Sequence, residues 1–348
     1  MLDPSRLQAA MRLERKYSLK RHNTFGVDAV ASGFVQVRTH EDLRAALEMG
    51  KASYPGMLIL GGGSNILFVQ DFAGLVIQMD LRGIRILQEG EESVEVEVAA
   101  GESWQDIVAF CVQRNWGGIE NLALIPGTVG GAPVQNVGAY GAELRDVLVR
   151  IHGICVETGQ SAILGREDCS LGYRTSIFKE SLRGKFVMTS VVLELRKHPQ
   201  PNTSYDTLAR ELAQIKREGI TIQDVAEAVS RLRRRRLPDP SQIGSAGSFF
   251  KNPEVPAAVF HGLKERFFSM PGYPARPGGF RVPAGWLIEQ CGWKGRRVGE
   301  AGVYEKHALV LVNHGSATGK DILSLAQDIQ ESVRERFGIR LEPEVQIV

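Results

Sequence analysis

The chain has 348 residues, 43% of them hydrophobic and 24% charged, with a formal net charge of +2. That length exceeds what one hydrophobic core usually fills, so two or three domains are expected, and the composition is that of an ordinary globule. Near-neutrality excludes a field that draws the whole surface to nucleic acid, and no run of 18 apolar residues is present to span a bilayer.

The N-terminal MLDPSRLQAAMRLERKYSLKR lacks the apolar stretch of a secretory signal, and its basic amphipathic character predicts a short helix packed on the body. GFVQVRT alternates and predicts a strand. HEDLRAALEMGKA predicts a helix with Leu43, Leu47 and Met49 broadly on one side. GMLILGGGSNILF reads as a strand, a glycine turn and a second apolar run. SVEVEVAAG and KFVMTSVVLELR alternate as strands do. DTLARELAQIKREG carries Leu208, Leu212 and Ile215 at helical spacing. TIQDVAEAVSRLRRRRLPDP carries Val225, Val229 and Leu232, and its helix must stop before Pro238. A long helix is expected near Lys320 to Phe337. The terminal GIRLEPEVQIV predicts a strand with Ile339, Leu341, Val345 and Ile347 on one face, and Arg340, Glu342, Glu344 and Gln346 on the other. There is no internal repeat.

Cys111, Cys155, Cys169 and Cys291 form no CxxC pair, so a metal site and a redox dithiol are not expected, and a reduced cytoplasmic protein is. Two glycine loops carry the chemistry instead. In LILGGGSN, Leu58 to Asn65, a strand feeds three glycines whose backbone N–H groups could cradle an anion such as a pyrophosphate. The Rossmann spacing fails, because the third glycine position falls on Ile66, and no Gly-Lys-Ser/Thr is present. A tight turn without a ligand is the competing reading. IPGTVGGAPVQNVGAYG, Ile125 to Gly141, holds five glycines and two prolines between β-rich segments. A loop of that length inside a domain is usually functional. The pair suggests a dinucleotide gripped between two domains. GSAGSFFKNP, Gly244 to Pro253, sets Ser248 among small residues ahead of two phenylalanines. On residues alone, Ser248 is as readily a turn serine bonding its own backbone.

LGGGSN, IPGTVGGAPVQNVGAYG, GYRTSIFK, GSAGSFFKNP, AGWLIEQCG and LEPEV, in that order, resemble the UDP-N-acetylenolpyruvoylglucosamine reductase family from about Ser18 to the end. The resemblance implies an α+β fold of three domains. Two form a vanillyl-alcohol-oxidase-like FAD-binding fold, residues 1–82 and 83–230, and the third, 231–338, is an α+β substrate-binding domain. The terminal strand, about 339–348, is open to returning to the first. It also implies non-covalent FAD, NADPH as co-substrate, and reduction of UDP-N-acetylglucosamine enolpyruvate to UDP-N-acetylmuramate for peptidoglycan. NADPH and the sugar nucleotide would use one pocket in turn.

The site residues the resemblance implies are Arg174 at the substrate carboxylate, Ser248 as proton donor to the α-carbon, and Glu344, whose pKa is expected to be raised, as the third catalytic group. Glu342 serves as its structural control. Tyr205, in the tyrosine-bearing loop of one family subtype, Arg236, Asn252, Tyr273 and His307 are implied as substrate contacts. Arg236 stands where some relatives carry lysine and His307 where some carry glutamine. Gly61, Gly62, Gly63, Ser64, Asn65, Gly127, Thr128, Gly130, Gly131, Asn136, Gly138 and Tyr140 are implied around FAD. The rest of the run Arg233 to Arg236 is read as solvating a helix end. A monomer without nucleic-acid or membrane partners is expected. The competing classes are another FAD oxidoreductase of the same fold, a polyanion binder using the arginine run, and a flavin-free sugar-nucleotide sensor.

Overall fold

The computed structural model of the chain describes residues 11–215, 219–275 and 278–348. Its contacts gather into two compact units. One comprises Met1–Tyr17, Ala31–Gly62 and Phe72–Arg233, and the other Ser18–Val30, Gly63–Asp71 and Arg234–Val348. Each is built around its own buried cluster.

Among the described residues the first unit contains two larger sheets and a two-stranded pair, Gly138–Ala139 with Ala142–Glu143. In the smaller of the two larger sheets, Val30–Val37, Phe72–Met79 and Met57–Leu60 lie parallel, with Phe72–Met79 in the centre. Helix His40–Ser53 supplies the crossover, and Leu43, Ala46 and Leu47 bury against Val35, Leu75 and Ile77. Thr39 and Asp42 close a reciprocal capping box at its start. The larger sheet is antiparallel, ordered Ser161–Gly165, Leu148–Cys155, Phe186–Arg196, Ser93–Ala99, Ile84–Glu89. Val94, Val96 and Val98 point one way into the core, as the alternation in SVEVEV requires. Helices Trp104–Gln113 and Ile222–Arg236 pack on that core through Trp104, Ile107, Cys111, Val225, Val229 and Leu232.

Two expectations need correction. Glu14–Ser18 is a strand at the edge of the parallel sheet, not part of a helix. Tyr17 stacks on Phe34 with ring centroids 4.0 Å apart, and an open sheet edge satisfies backbone groups that so short a helix leaves bare. The rest of that segment, residues 1–10, lies outside the described residues. The helix beginning at Asp206 ends at Leu212, short of the expected span, whose residues 216–218 also lie outside them.

The second unit carries an antiparallel sheet ordered Gly244–Ser248, Val310–Asn313, Ala301–Val303, Arg297–Val298 and a three-stranded sheet of Glu254–Pro256, Gly279–Arg281 and Tyr273–Ala275. Helix Gly319–Phe337 lays Ile322, Leu325, Ala326, Ile329 and Val333 along one buried stripe. At the C-terminus only Gln346–Ile347 is a strand, parallel to Ile66–Leu67. Ahead of it Pro343 bridges Phe250 in antiparallel fashion, flanked by Lys251 N–H to Glu342 O (2.9 Å) and Glu344 N–H to Phe249 O (2.7 Å), so the longer strand expected there is divided between two partners. The alternation itself survives: Ile339, Leu341 and Val345 are buried, while Arg340, Glu342 and Gln346 are exposed. Among the described residues no helix is long and apolar enough to cross a membrane.

Gly319 opens its helix against the chain beside it. A Cβ there would lie 1.7 Å from the carbonyl oxygen of Phe68. Gly319→Ala should therefore lose about 1–3 kcal/mol of unfolding free energy as backbone is forced apart. Gly262, in helix Ala257–Arg266 with nothing within 4 Å of its Cβ position, should gain up to about 1 kcal/mol on the same change. Urea midpoints at constant slope check both, and equal midpoints for the two variants would refute the contrast.

Candidate active site

In the first unit, the glycines at the end of strand Met57–Leu60 meet the loop after Pro126 with no space for side chains. A Cβ on Gly61 would lie 2.5 Å from Thr128 Oγ1, and one on Gly62 2.9 Å from the Cα of Gly127. The second loop is tied from behind. Trp104 N–H donates to Gly127 O (3.0 Å), Val129 N–H to Glu102 O (2.8 Å) and Gly130 N–H to Ala100 O (2.9 Å). The Gly131 N–H also turns inward, to Thr128 O at 3.0 Å. Gly130 is glycine for packing, since its Cβ would lie 2.7 Å from that of Ala100. The first loop continues into the second unit at Gly63. There a positive φ of 61° and a Cβ position 2.0 Å from the His22 oxygen admit glycine alone. Beside it, Asn65 Nδ2 donates to the Glu344 carbonyl at 3.3 Å.

Asn136 faces the protein. Its side chain is almost fully buried at a φ of 44°. Nδ2 donates to Glu143 Oε2 (2.9 Å) and Gly172 O (3.1 Å), while Oδ1 accepts from Arg145 N–H (3.0 Å). Its amide is thus occupied in holding the turn that carries Arg174. That turn, Gly172 to Thr175, is closed by the Gly172 N–H to Thr175 O bond (3.0 Å). Arg174 sits at its tip with φ 55° and donates from Nη2 to Gly138 O (2.8 Å). A left-handed arginine is a strained residue held by its surroundings, which marks the position as a candidate for function.

Arg233 joins it. Its Nε donates to Leu124 O (3.1 Å). Burial, opposed by Tyr140 and reinforced by the Arg174 charge, pulls its pKa below the usual guanidinium value. The reading of this residue as part of a solvated helix end is therefore corrected. The signal was in the sequence, because Arg233 follows Val225 and Val229 at four-residue steps and falls on the buried stripe. Two guanidinium groups this close are suited to an anion with a planar fork, such as a carboxylate. Tyr140, at φ 49°, meets Tyr205 edge-on with centroids 5.4 Å apart, and Tyr205 stays 44% exposed.

In the second unit, Ser248 ends strand Gly244–Ser248 just after a bulge, where Gly247 takes φ 70°. Phe249 and Phe250 behind it are fully buried, 5.0 Å apart edge-on, and anchor the segment. Glu344 N–H donates to Phe249 O at 2.7 Å. Ser248 and Glu344 are thus brought onto neighbouring segments, while Glu342 is solvent-exposed and pairs with Lys251. Asn252 Oδ1 accepts the Ala284 N–H at 2.9 Å, at the start of helix Ala284–Gln290, so its amide group is what remains for a ligand. Tyr273 is exposed. Arg236 ends helix Ile222–Arg236 near His307, and Lys294, which the sequence reading missed for want of any local signal, adds a second cation. Burial, then the Arg236 and Lys294 charges, opposed by Glu289, bring the His307 pKa down to about 4. Its Nδ1 accepts the Leu309 N–H at 3.2 Å. The proton of the neutral ring is therefore on Nε2, a donor carrying no charge.

The buried thiols are no candidates for chemistry, since burial pushes Cys111 up to about 12 and Cys169 to about 11. Among the described residues no group of three or more His, Cys, Asp or Glu could hold a metal. FAD fits what is present. The fit is one of shape: backbone approaches backbone at Gly62 and Gly127, and the Gly131 Cβ position is open, with Thr128 Oγ1 at 3.7 Å the nearest atom.

Comparisons with known proteins agree on the family and on an FAD-binding domain. Residues 239–348 match the model for the UDP-N-acetylenolpyruvoylglucosamine reductase C-terminal domain, and residues 31–161 match that for an FAD binding domain. The chain is 44% identical to the UDP-N-acetylenolpyruvoylglucosamine reductase of Flavobacterium johnsoniae over 97% of its length and 100% of the relative's. It is 46% identical to that of Paraburkholderia xenovorans over 94% and 95%. The crystal structure of the Thermus caldophilus UDP-N-acetylenolpyruvylglucosamine reductase superposes with a TM-score of 0.68 at 27% identity, covering 97% of this chain and 99% of that one.

The glycines give a graded test. Gly62→Ala should lose both FAD and thermal stability, because the new Cβ strikes backbone. Gly131→Ala meets only Thr128 Oγ1 at 3.7 Å, so it should keep stability and lose FAD through contact with the ligand alone. Full FAD occupancy in Gly131→Ala, read from flavin absorbance per chain, would remove Gly131 from the cofactor site.

His307 gives a pH test. The folded chain holds it neutral down to about pH 4, whereas the unfolded chain protonates it below about 6.5. The unfolded state then binds more protons, so stability falls as pH drops through that window, by about 3 kcal/mol at its foot. His307→Gln should flatten this part of the profile in urea titrations at pH 7.5 and 4.5. An unchanged profile counts against a neutral buried histidine.

Proposed function

The chain belongs to the UDP-N-acetylenolpyruvoylglucosamine reductase family, and on that premise we propose that it reduces UDP-N-acetylglucosamine enolpyruvate to UDP-N-acetylmuramate, with NADPH as electron source, in peptidoglycan precursor synthesis. It is an FAD-dependent oxidoreductase. The observation that carries the reading is likeness over whole chains, 97% of this one and all of its Flavobacterium relative. The strained turn that holds Arg174 at φ 55° against Gly138 O supports it from the geometry.

When bound and reduced by NADPH, FAD would supply hydride to the vinyl carbon of the enolpyruvyl ether. The chain's own residues manage the charge and the proton. As electrons move toward the α-carbon, negative charge builds on the substrate carboxylate, and Arg174, held in place by Gly138 O and the Asn136-braced turn, is the fork that receives it. Ser248 then gives its proton to the α-carbon. A carbanionic carbon is basic enough to accept from a hydroxyl held in position. Glu344 is assigned as the third catalytic group, acting in its protonated form or through a donor, because a bare carboxylate would oppose the developing charge. Arg236, Lys294 and neutral His307 serve the diphosphate, which Tyr205 covers, and Asn252 and Tyr273 meet the nucleotide portion.

FAD is held without a covalent bond, and in the first unit the residues that hold it are Gly61, Gly62, Gly127, Thr128, Gly130, Gly131, Gly138 and Tyr140. Asn136 contributes by bracing rather than by contact. NADPH and the sugar nucleotide bind in turn. The protein works as a cytoplasmic monomer, and the first unit consists of two subdomains divided near residue 82, one for each of its larger sheets.

Ser248→Ala separates the half-reactions. FAD content and flavin reduction by NADPH should stay close to those of the parent chain, while reoxidation by the enolpyruvyl substrate should slow by about 100-fold or more. Stopped-flow absorbance at the flavin band measures both. Reoxidation at the parent rate with correct product would return Ser248 to a turn serine.

A further inference from the structure

Asn121 has no place in the chemistry above, yet it is among the most completely buried polar side chains of the first unit, 1% exposed. Its Nδ2 donates both hydrogens to backbone carbonyls, of Tyr140 and of Asn202, each at 2.9 Å. Those two acceptors belong to different loops. One is the end of the glycine loop. The other opens the segment that delivers Tyr205. The 200–204 stretch has no helix or strand of its own. Asn202 adds a second tie to the glycine loop, its Nδ2 donating to Gly141 O (2.9 Å), while its Oδ1 accepts locally from Ser204 N–H (3.1 Å) and Ser204 Oγ (2.7 Å). Asn121 itself sits on a rigid base. It lies in a 3-10 turn, Glu120–Leu122, where the Glu120 carboxylate takes the Gly118 N–H at 2.6 Å and Leu122 O takes the Trp104 indole N–H at 3.1 Å.

We propose that Asn121 is a positioning residue, a clasp that locks the Tyr205 segment to Tyr140 and thereby presets the edge-on tyrosine pair for substrate. This rests on the reading of Tyr205 as a substrate contact. A side chain with two donors in one plane is what two converging carbonyls need. A carboxylate of the same shape offers acceptors only and repels both. Without the clasp, the substrate must order the segment itself, so affinity falls while the chemistry, set by other residues, is kept.

The test uses FAD-loaded protein and four variants: Asn121→Ala, Asn121→Asp, Asn202→Ala and Tyr205→Ala, with Asn121→Ala also combined with Tyr205→Ala. The expected result is a rise in KM for the enolpyruvyl sugar nucleotide of about tenfold in Asn121→Ala and more in Asn121→Asp, corresponding to two lost hydrogen bonds. Kcat and FAD content should change little. Asn202→Ala keeps the carbonyl that Asn121 holds and removes the parallel side-chain ties to Gly141 O and Ser204, so it tests the anchoring of the same segment if the Asn121 variants fold poorly, and it should raise KM several-fold. Tyr205→Ala should add less in the Asn121→Ala background than alone, because both act through one loop. Hydrogen exchange of amides 203–205 should quicken in every clasp variant, independently of any activity. Unchanged exchange there, or full additivity with Tyr205→Ala, overturns the proposal. Faster exchange with KM unmoved keeps the clasp but removes Tyr205 from substrate, and so overturns the reading beneath it.

Discussion

Backbone has to touch backbone at Gly62 and Gly127, and much of the first unit is arranged so that it can. A Cβ at Gly62 would stand 2.9 Å from the Cα of Gly127, closer than packed carbon atoms come. The glycine at Gly62 is thus a steric requirement before it is a ligand-binding feature. Holding two flexible loops at that separation is entropically costly, and the cost is met by fastening the second loop from behind. Helix Trp104–Gln113 begins at Ser103, whose hydroxyl accepts the Asp106 N–H, and its first residue donates to Gly127 O. The adjoining carbonyls of Ala100 and Glu102, at the end of strand Ser93–Ala99, take the next N–H groups. A five-stranded sheet and a buried tryptophan therefore act as the anchor for one tight turn. Several N–H groups of that turn point into the protein, so its contribution to a dinucleotide site is shape and close approach more than a nest of donors.

The same region concentrates backbone strain. Leu124, Asn136, Tyr140 and Arg174 all have positive φ, between 44° and 59°. Each costs on the order of 1 kcal/mol or more outside glycine, and each is held by a specific partner. Asn136 bridges Glu143, Gly172 and Arg145. Arg174 reaches Gly138 O, and Asn121 fixes Tyr140 O. Leu124 N–H is taken by Gln105 Oε1. These amide side chains do the work of secondary structure where the chain has none. They also explain how a loop of glycines and prolines presents a defined surface.

This is where legibility in the sequence ended. Periodicity was enough for His40–Ser53, Ile222–Arg236 and Gly319–Phe337, and alternation was enough for Ser93–Ala99 and Phe186–Arg196, because in those stretches local preference and burial agree. The motifs located Gly61–Asn65, the 125–141 loop, Arg174 and Ser248, since glycine and proline leave a strong mark. The structural use of amides left none. Nothing in NVGAY separates an asparagine that meets a ligand from one that braces a turn, and Asn121 in ENLAL looks like any helix-end residue. Arg233 was legible by its spacing from Val229, but four successive arginines suggested solvent instead. The N-terminal strand was hidden because its partner edge, Val30–Val37, is supplied by tertiary structure.

Charge gathers at one place in each unit. In the first, burial and the Arg174 charge, opposed by Tyr140, hold the Arg233 pKa down. Arg236 and Lys294 stand in the second with His307, and Glu289 takes part of the Lys294 charge at 2.9 Å. A third cation at His307 would add to the repulsion between the other two. Burial and those two charges keep the ring neutral, and the backbone N–H of Leu309 on Nδ1 leaves its proton on Nε2. The pocket then offers a third donor without a third charge, and glutamine, which some relatives are expected to carry at this position, performs the same task with an amide. Histidine and glutamine are interchangeable here only if the histidine stays neutral, and its low pKa provides that.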